Sequence, residues 1–559
     1  MVYSFTHEKI RETVESVLYP SRKRLWHERI AEILAKRISS TSHDLARIAH
    51  HFEQAGISSQ AIQYRVKAAR AAWQAQFPDE SFAQLELADS LLRQGQDNPA
   101  EDIYAVLSLW GELAVMRSDL ETMQRAFTRL YQSGQEKQSP QLAGVGLSGM
   151  AYAQALSGEI DPALQTIDKA LAFLEQADAK YDQMVACTRK ASIYMFTSRY
   201  LEALDCYHKA LALDQAAGEP PQFLSVRVRV KAEMAFLQVL CGQPARGLDL
   251  AADACRSSEM AFYPEGCLVA LAISALALYY LGRYSEVITL FNANIDQALK
   301  MRKGRIAAYL YMSSARASLM MGKIGDCLQY LHASSEISRQ IQVPEIGNYT
   351  HVVKGELFTY LQQYPRALEE LAGGIRGPQK RFDVLESRLW FGLLRRAGGR
   401  IDEGQEMIAA ALQDARTENM VNLTLPAGIL DLIWHIYSGN TEQARQKIPA
   451  IEQEVQDSSL AMATPLLLLA NCLLAESEQK LGEARLMATR LVNRAKDLQN
   501  VWLELYAHRL LIRLAASPEE AAEHQAETQK VLANLGEGLT DEGLRKMLDE
   551  LRTGTEMPA

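Results

Sequence analysis

The stretch Leu278–Phe291, LYYLGRYSEVITLF, holds the pattern that organises the chain. An apolar helical run ends at a glycine, a polar turn follows, and amphipathic spacing resumes five residues later. The same turn stands at Gly158, Ser198, Gly242, Gly322, Gln362, Gly399 and Gly439, with weaker copies at Gln76, Ser118, Gln479 and Ala516. Its twelve first positions advance by 37 to 44 residues with a mean of 40, the signature of a stacked repeat. Glycine at the first position suits the left-handed backbone that closes a helix C-terminus. The aromatic, proline or aliphatic residue two places on can plug the gap between paired helices, and a small residue five places on lets the second helix approach.

Close crossing of the paired helices also demands small side chains seven residues before each turn. Those positions are Ala69, Gly111, Ala151, Ala191, Ala235, Ala275, Ala315, Gly355 and Gly392, then Leu432, Cys472 and Arg509. Glycine inside a helix costs about 1 kcal/mol, so packing must compensate. The last three units break the rule, which leaves their register less defined. The second helices carry one apolar face, as in Ala163, Ile167, Ala170, Leu171 and Leu174, or Ala203, Cys206, Tyr207, Ala210 and Leu211. The expected fold is all-α: a right-handed α-solenoid of about twelve helix pairs with a period near 40 residues.

Composition supports this reading. Across 559 residues, 48% are apolar and 23% charged, with few strand-type alternations. The formal net charge of −9 argues against nucleic acid as a partner. Charge is uneven, however: residues 1–75 carry twelve Lys/Arg and seven Asp/Glu. The seven cysteines, at 187, 206, 241, 255, 267, 327 and 472, lack C-x-x-C spacing and read as reduced thiols filling small core sites. The most apolar stretch, Cys267–Gly282, is shorter than the roughly 20 residues of a bilayer span. No membrane association is expected, and a cytoplasmic location is.

No phosphate loop, nucleophile elbow, H-E-x-x-H helix or dinucleotide fingerprint occurs, so neither enzyme activity nor a cofactor is expected. Gly144–Met150, GVGLSGM, is glycine-rich but sits inside a first helix, which marks close packing rather than a phosphate cradle. His43, His50 and His51 share one loose helical face without a cysteine or acidic residue at ligand spacing. They read as interface histidines, not a metal site.

The Gly–x–aromatic–x–x–Ala turn after a small helix residue resembles the tetratricopeptide repeat, most fully in Ala191–Leu213, ASIYMFTSRYLEALDCYHKALAL. Two features depart from that family: the longer period, and polar residues before the small position (Lys190, Ser274, Lys354, Asp431). The resemblance implies a concave face lined by first helices. In that arrangement the groove would display Tyr152, Arg229, Tyr309, Arg316, Tyr349, Glu356 and Glu386, a lining suited to a peptide, a partner protein or a polar inducer.

The ends add a second likeness. Residues 1–57 run as a short strand-like segment (Val2–Phe5), a helix capped by Thr6 and stopped by Pro20, a second capped by Ser21, and a third ending at Gly56. YSFTHEKIRETV, LYPSRKRLWHERIAEIL and LARIAHHFEQAG resemble the end of the winged-helix junction in bacterial signal-transduction ATPases of the STAND class, ahead of their tetratricopeptide-like sensor arm. LTDEGLRKMLDEL, Leu539–Leu551, resembles the helix that closes such arms. The resemblance implies three regions: 1–57, a junction; 58–535, the superhelix; and 536–559, a capping helix and flexible tail. It implies a non-catalytic scaffold that binds its ligand in the groove and docks a nucleotide-binding ATPase module, in cis or in trans, through Arg11, Arg22, Lys23 and Arg24. On this reading the chain is either cut near the junction or a gene product that kept only the arm. The alternative is a free-standing adaptor that recruits or inhibits a protease or nuclease.

Overall fold

The computed structural model describes residues 19–36, 41–75, 77–95, 97–117, 119–260, 264–375, 381–536, 539 and 541–553. Among these residues there are 27 α-helices, one short 3-10 turn and no strand. The protein is an all-α repeat solenoid. Arg11, Val2–Phe5 and Thr6 lie outside the described residues. Pro20 opens the helix Pro20–Ala35 as its first residue, capped by Tyr19 rather than by Ser21. Proline is preorganised for that position, where its missing N–H costs nothing. The next helix, Ser42–Ala55, is capped by Thr41 and closed by Gly56 in the left-handed conformation.

The backbone repeats on a finer step than the sequence suggests. Most helices are 17 residues long and begin 20 residues after the previous one, as in Pro140–Leu156, Ile160–Gln176 and Lys180–Phe196. The left-handed conformation recurs at most turns of both kinds, although Gly95 and Ser458 are extended. The expected sites Gly158, Ser198, Gly242, Gly282, Gly322, Gln362, Gly399, Gly439 and Gln479 all have positive φ, and so do Gln138, Asp178, Arg302, Gln342, Asn419 and Gln499 at the alternate turns. Ala516 departs from the pattern: its helix, Val501–Leu514, ends in an extended Ala515, and Ser517 caps the next one. Gln76 and Ser118 lie outside the described residues.

The small residues sit where helices cross. Ala69, Ala151, Ala191, Ala235 and Ala315 are fully buried. A Cβ on Gly111 would lie 2.4 Å from Phe127 Cζ, and one on Gly355 would lie 2.6 Å from Leu371 Cγ. Gly144, Gly146 and Gly149 are likewise filled by Leu174, Tyr131 and Phe127. In the late repeats Leu432 and Cys472 are still buried, but Arg509 is half-buried while Ala507 takes the interior position.

The chain forms two compact units, Met1–Thr197 with His208–Gly218, and Ser198–Tyr207 with Glu219–Ala559. The first holds a core around Trp110, Phe127, Leu130 and Ile167. The second holds two cores, one around Leu310, Val352 and Leu532 and one around Leu432, Leu473 and Leu510.

Within the second unit the stack of helix pairs curls until it meets itself. Gln243, Ala245 and Ser285 bond to Asp457, Ser459 and Gln499, each pair 214 residues apart. That separation is a little over five 40-residue repeats. The Ser459 amide donates to the Gly242 carbonyl (3.0 Å), the Ala461 amide to that of Tyr280 (2.9 Å), and Trp502 Nε1 to that of Leu319 (2.6 Å). The C-terminal helix Glu542–Thr553 extends the seam, burying Leu544, Met547, Leu548 and Leu551. One turn of the superhelix therefore rests on the next, and the enclosed face is an interior rather than an open groove.

One expectation about cysteine is corrected. Cys187, Cys206, Cys327 and Cys472 are buried free thiols and Cys241 is partly buried, but Cys255 and Cys267 are joined in a disulfide. They flank the turn between Pro244–Met260 and Pro264–Tyr280, which sets their side chains next to each other. No described helix is long and apolar enough to cross a membrane.

Candidate functional site

Three neighbouring first helices of the second unit, Gly304–Met320, Pro344–Tyr360 and Arg381–Ala397, each place charged groups on the enclosed face. Arg316 is the centre. Its Nε donates to Glu356 Oε2 at 3.3 Å, Nη2 to both Glu356 Oε1 and Glu386 Oε1, and Nη1 to the Tyr349 hydroxyl. The guanidinium also lies over the Tyr279 ring, 5.1 Å from its centroid. Arg316, Glu356 and Glu386 are 4%, 3% and 5% exposed, so the cluster is fully withdrawn from solvent. Burial opposes the charge on Arg316, yet Glu356 and Glu386 outweigh it and hold the guanidinium well above its ordinary pKa. Burial pushes the Glu386 carboxyl up, Arg316 pulls it back, and Glu356 raises it further. Such a cluster is retained only when its geometry offsets desolvation.

A second buried pair stands one repeat further on. Arg396, 1% exposed, donates to Asp431 Oδ1 at 2.6 Å and Gln405 Oε1 at 2.7 Å, and its guanidinium lies 4.7 Å from the Trp434 centroid. Burial raises the Asp431 carboxyl, but Arg396 and Lys447 more than compensate and keep it low.

These clusters border a cavity of about 450 Å³. Tyr280, Trp390, Trp434, Tyr437, Tyr506 and Leu430 give its walls an aromatic and apolar character. Among the described residues, Glu386 Oε2, Asn422 Oδ1 and Arg396 Nε are buried without a hydrogen-bond partner, and all three residues line the cavity. Volume and lining fall in the range of small-molecule sites.

Four of the seven expected groove residues, Arg316, Tyr349, Glu356 and Glu386, thus meet in one cluster. Tyr309 is half-buried on the same helix as Arg316 but packs against the hydrophobic core. Arg229 is exposed on Leu224–Leu240 and joins none of them. Tyr152 belongs to the first unit, where its ring lies 5.9 Å from Phe196. In the amino-terminal segment Arg22 and Arg24 are exposed and Lys23 is partly so. His43 and His50 are exposed, and His51 meets His27, Nδ1 to Nδ1 at 2.9 Å.

Repeat arithmetic missed the aromatic walls and Asn422. A signal existed: the position two residues before the turn carries Tyr280, Tyr360 and Tyr437 in three repeats, and all three line the cavity. Asn422, near the start of Val421–Tyr437, gave no such signal.

No protein-family model matches the chain, and no curated protein sequence matches it. Likeness lies with solved structures. A STAND protein with a tetratricopeptide repeat sensor from Pyrococcus horikoshii aligns at 12% identity over 62% of this chain, with a TM-score of 0.40. The chain spans 57% of that protein's length. Scc4, solved in complex with Scc2n, aligns at 10% identity over 93% of this chain and 99% of its own, with a TM-score of 0.46. A Rap protein complexed with competence and sporulation factor aligns at 12% identity over 75% and 99%, with a TM-score of 0.39.

Proposed function

We propose that the chain is a non-catalytic sensor and scaffold, the regulatory repeat arm of a STAND-type ATPase regulator, which takes its ligand inside the second unit. The observation that carries this reading is the buried Arg316–Glu356–Glu386 cluster beside a 450 Å³ cavity. A solenoid that needed only to hold its shape gains little from three charged groups in its interior, because apolar residues of similar volume stabilise as well or better. A volume of this size suits a small inducer more than an extended peptide. Because the walls come from both turns of the superhelix, occupancy would bias how firmly those turns meet. That differential contact is what a ligand-driven switch requires.

The transmitting surface would be the helix Pro20–Ala35. It exposes Leu25, Trp26, Ile30 and Ile33 alongside Arg22 and Arg24, an apolar face bordered by positive charge. The experiment is to add the full chain to a STAND nucleotide-binding module from the same genome and follow complex formation and ATP turnover. A complex that weakens at least tenfold with Trp26→Asp and Ile33→Asp is expected. Tight binding to an unrelated protease or nuclease, with no effect on any such module, would replace this reading with that of an adaptor.

A further inference from the structure

The chemistry of the occupant, which rests on the cavity's being a ligand site, can be read from the charges on its lining. Five charged side chains stand there: Arg316, Glu356, Glu386, Arg396 and Arg509. Four are already paired. Glu356 and Glu386 bond to Arg316, and Arg396 bonds to Asp431. The atoms these pairs leave over, Glu386 Oε2 and Arg396 Nε, are sealed from solvent and closed to a ligand.

Arg509 differs from the other two arginines. It is half-buried, and among the described residues no carboxylate pairs with it. Its Nη2 donates to the Leu551 carbonyl at 2.8 Å, which takes one of the five N–H donors of a guanidinium. Its Nε and Nη1 have no partner among the described residues, and neither is sealed from solvent. Burial alone shifts its pKa, downwards, with no opposing charge to restore it. A charge drawn partly out of water without a counter-ion gains from an arriving anion what the paired arginines have already gained.

The guanidinium also belongs to the apolar wall. Trp502, Leu505, Tyr506 and Arg509 follow helical spacing along Val501–Leu514 and all line the cavity, so one face of that helix carries the charge and the rings together. Tyr360 stacks on Trp502 with centroids 5.0 Å apart, and the Tyr437 hydroxyl meets that of Tyr506 at 2.6 Å. An aromatic surface therefore begins within two turns of an unmet positive charge.

We infer that the cavity binds a small organic monoanion, a carboxylate on an aromatic or branched apolar body, with its head on Arg509. The planar fork of a guanidinium matches the two oxygens of one carboxylate. A doubly charged phosphate would call for a second unpaired cation, and the described lining has none. The body would lie against Trp502 and Tyr506.

The test uses the full chain and two probe series: phenylacetate with phenylacetamide and 2-phenylethylamine, and indole-3-acetate with indole-3-acetamide and tryptamine. Saturation-transfer NMR detects binding and calorimetry supplies Kd. The carboxylate of each series is expected to bind at least tenfold more tightly than its amide and its amine, the worth of a charge-assisted hydrogen bond. Arg509→Met should remove that advantage and Arg509→Lys should keep part of it. Leu430→Trp, which narrows the cavity from another helix, should abolish binding, and it carries the test with Arg509→Lys if Arg509→Met does not fold. Arg229→Ala, exposed and outside the lining, should change nothing. Amides or amines that bind as tightly as the carboxylates, and are blocked by Leu430→Trp, would overturn the anion while leaving a ligand cavity. So would carboxylate binding that survives Arg509→Met undiminished. No binding by any of the six probes to folded protein, or binding indifferent to Leu430→Trp, would overturn both.

Discussion

A Cβ built on Gly282 would lie 2.6 Å from Leu498 Cδ2, across the seam between two turns of the superhelix. Gly242 and Gly322 stand the same way against Val421 and Leu535, each at 2.6 Å, whereas Gly158, Gly399 and Gly439 meet nothing within 4 Å. The repeat turn therefore favours glycine for its φ, though Ser198, Gln362 and Gln479 also adopt it, and at three places glycine is needed for contact as well. Gly282→Ala should cost about 2–4 kcal/mol, adding overpacking to the roughly 1 kcal/mol of a left-handed alanine. Gly399→Ala should cost only about 1 kcal/mol. Urea unfolding of both separates the two roles, and Leu498→Ala should recover part of the loss in the Gly282→Ala background.

Gln479 has φ +62 and is exposed at the turn after Ala463–Ser477. A long side chain has no reason to prefer that conformation, and glycine adopts it freely. Gln479→Gly should raise stability by about 0.5–1 kcal/mol, a gain of a degree or two in Tm for a chain this long.

Arg316→Met should be among the most damaging substitutions in the second unit, at roughly 3–5 kcal/mol, because it strands Glu356 and Glu386 without a counter-ion. Its loss should depend on pH with a definite sign. Arg316 is what pulls the raised Glu386 carboxyl back, so without it that group is raised further in the folded state, and its contribution is fully present below the unfolded glutamate range and is lost as pH rises through the folded value. The variant should regain stability on acidification towards pH 5 more steeply than the wild type, in which Arg316 still pulls the Glu386 carboxyl back. Replacing all three with apolar residues should be far milder than Arg316→Met alone.

His508 is 3% exposed and faces His524, Nδ1 to Nδ1 at 3.3 Å. Burial, and then His524 and Lys496, lower its pKa to about 4, with Glu527 opposing. A depressed folded pKa means that its contribution is complete above the ordinary histidine value and is lost as pH falls towards 4. Between pH 6.5 and 4 that loss amounts to up to roughly 3 kcal/mol. His508→Gln should flatten this part of the stability profile, measured by urea midpoints at half-unit steps.

The period, the turns and the small crossing residues were legible because each is local. A glycine closing a helix and an alanine or glycine seven residues earlier act within one helix pair, and spacing exposes them. Arg316, Glu356 and Glu386 were also reachable, since first helices repeat two inward positions, six residues before the turn for Arg316 and Glu356 and thirteen before it for Glu386. The seam was not legible. Gly282 and Leu498 meet only because a small rotation per repeat accumulates over five repeats, and no local pattern encodes that sum. The disulfide Cys255–Cys267 escaped for a related reason: its partners fall out of repeat register, and only the turn between their helices brings them together.

The self-contact of the second unit changes what kind of object a solenoid is. An open array couples each unit only to its neighbours, so units can be inserted or deleted with little penalty and unfolding can spread from an end. Here Gly282 and Gly322 must meet Leu498 and Leu535, 216 and 213 residues later, and the Gly242 carbonyl must meet the Ser459 amide 217 residues later, a separation that admits no spare unit. Deleting one 40-residue repeat between Gly282 and Leu498 would shift every partner along the seam. Contacts this distant in sequence also slow folding, since the intervening chain must be ordered before they form. The array has become one that counts its members, so adding or removing a whole repeat should cost far more than changing residues within one.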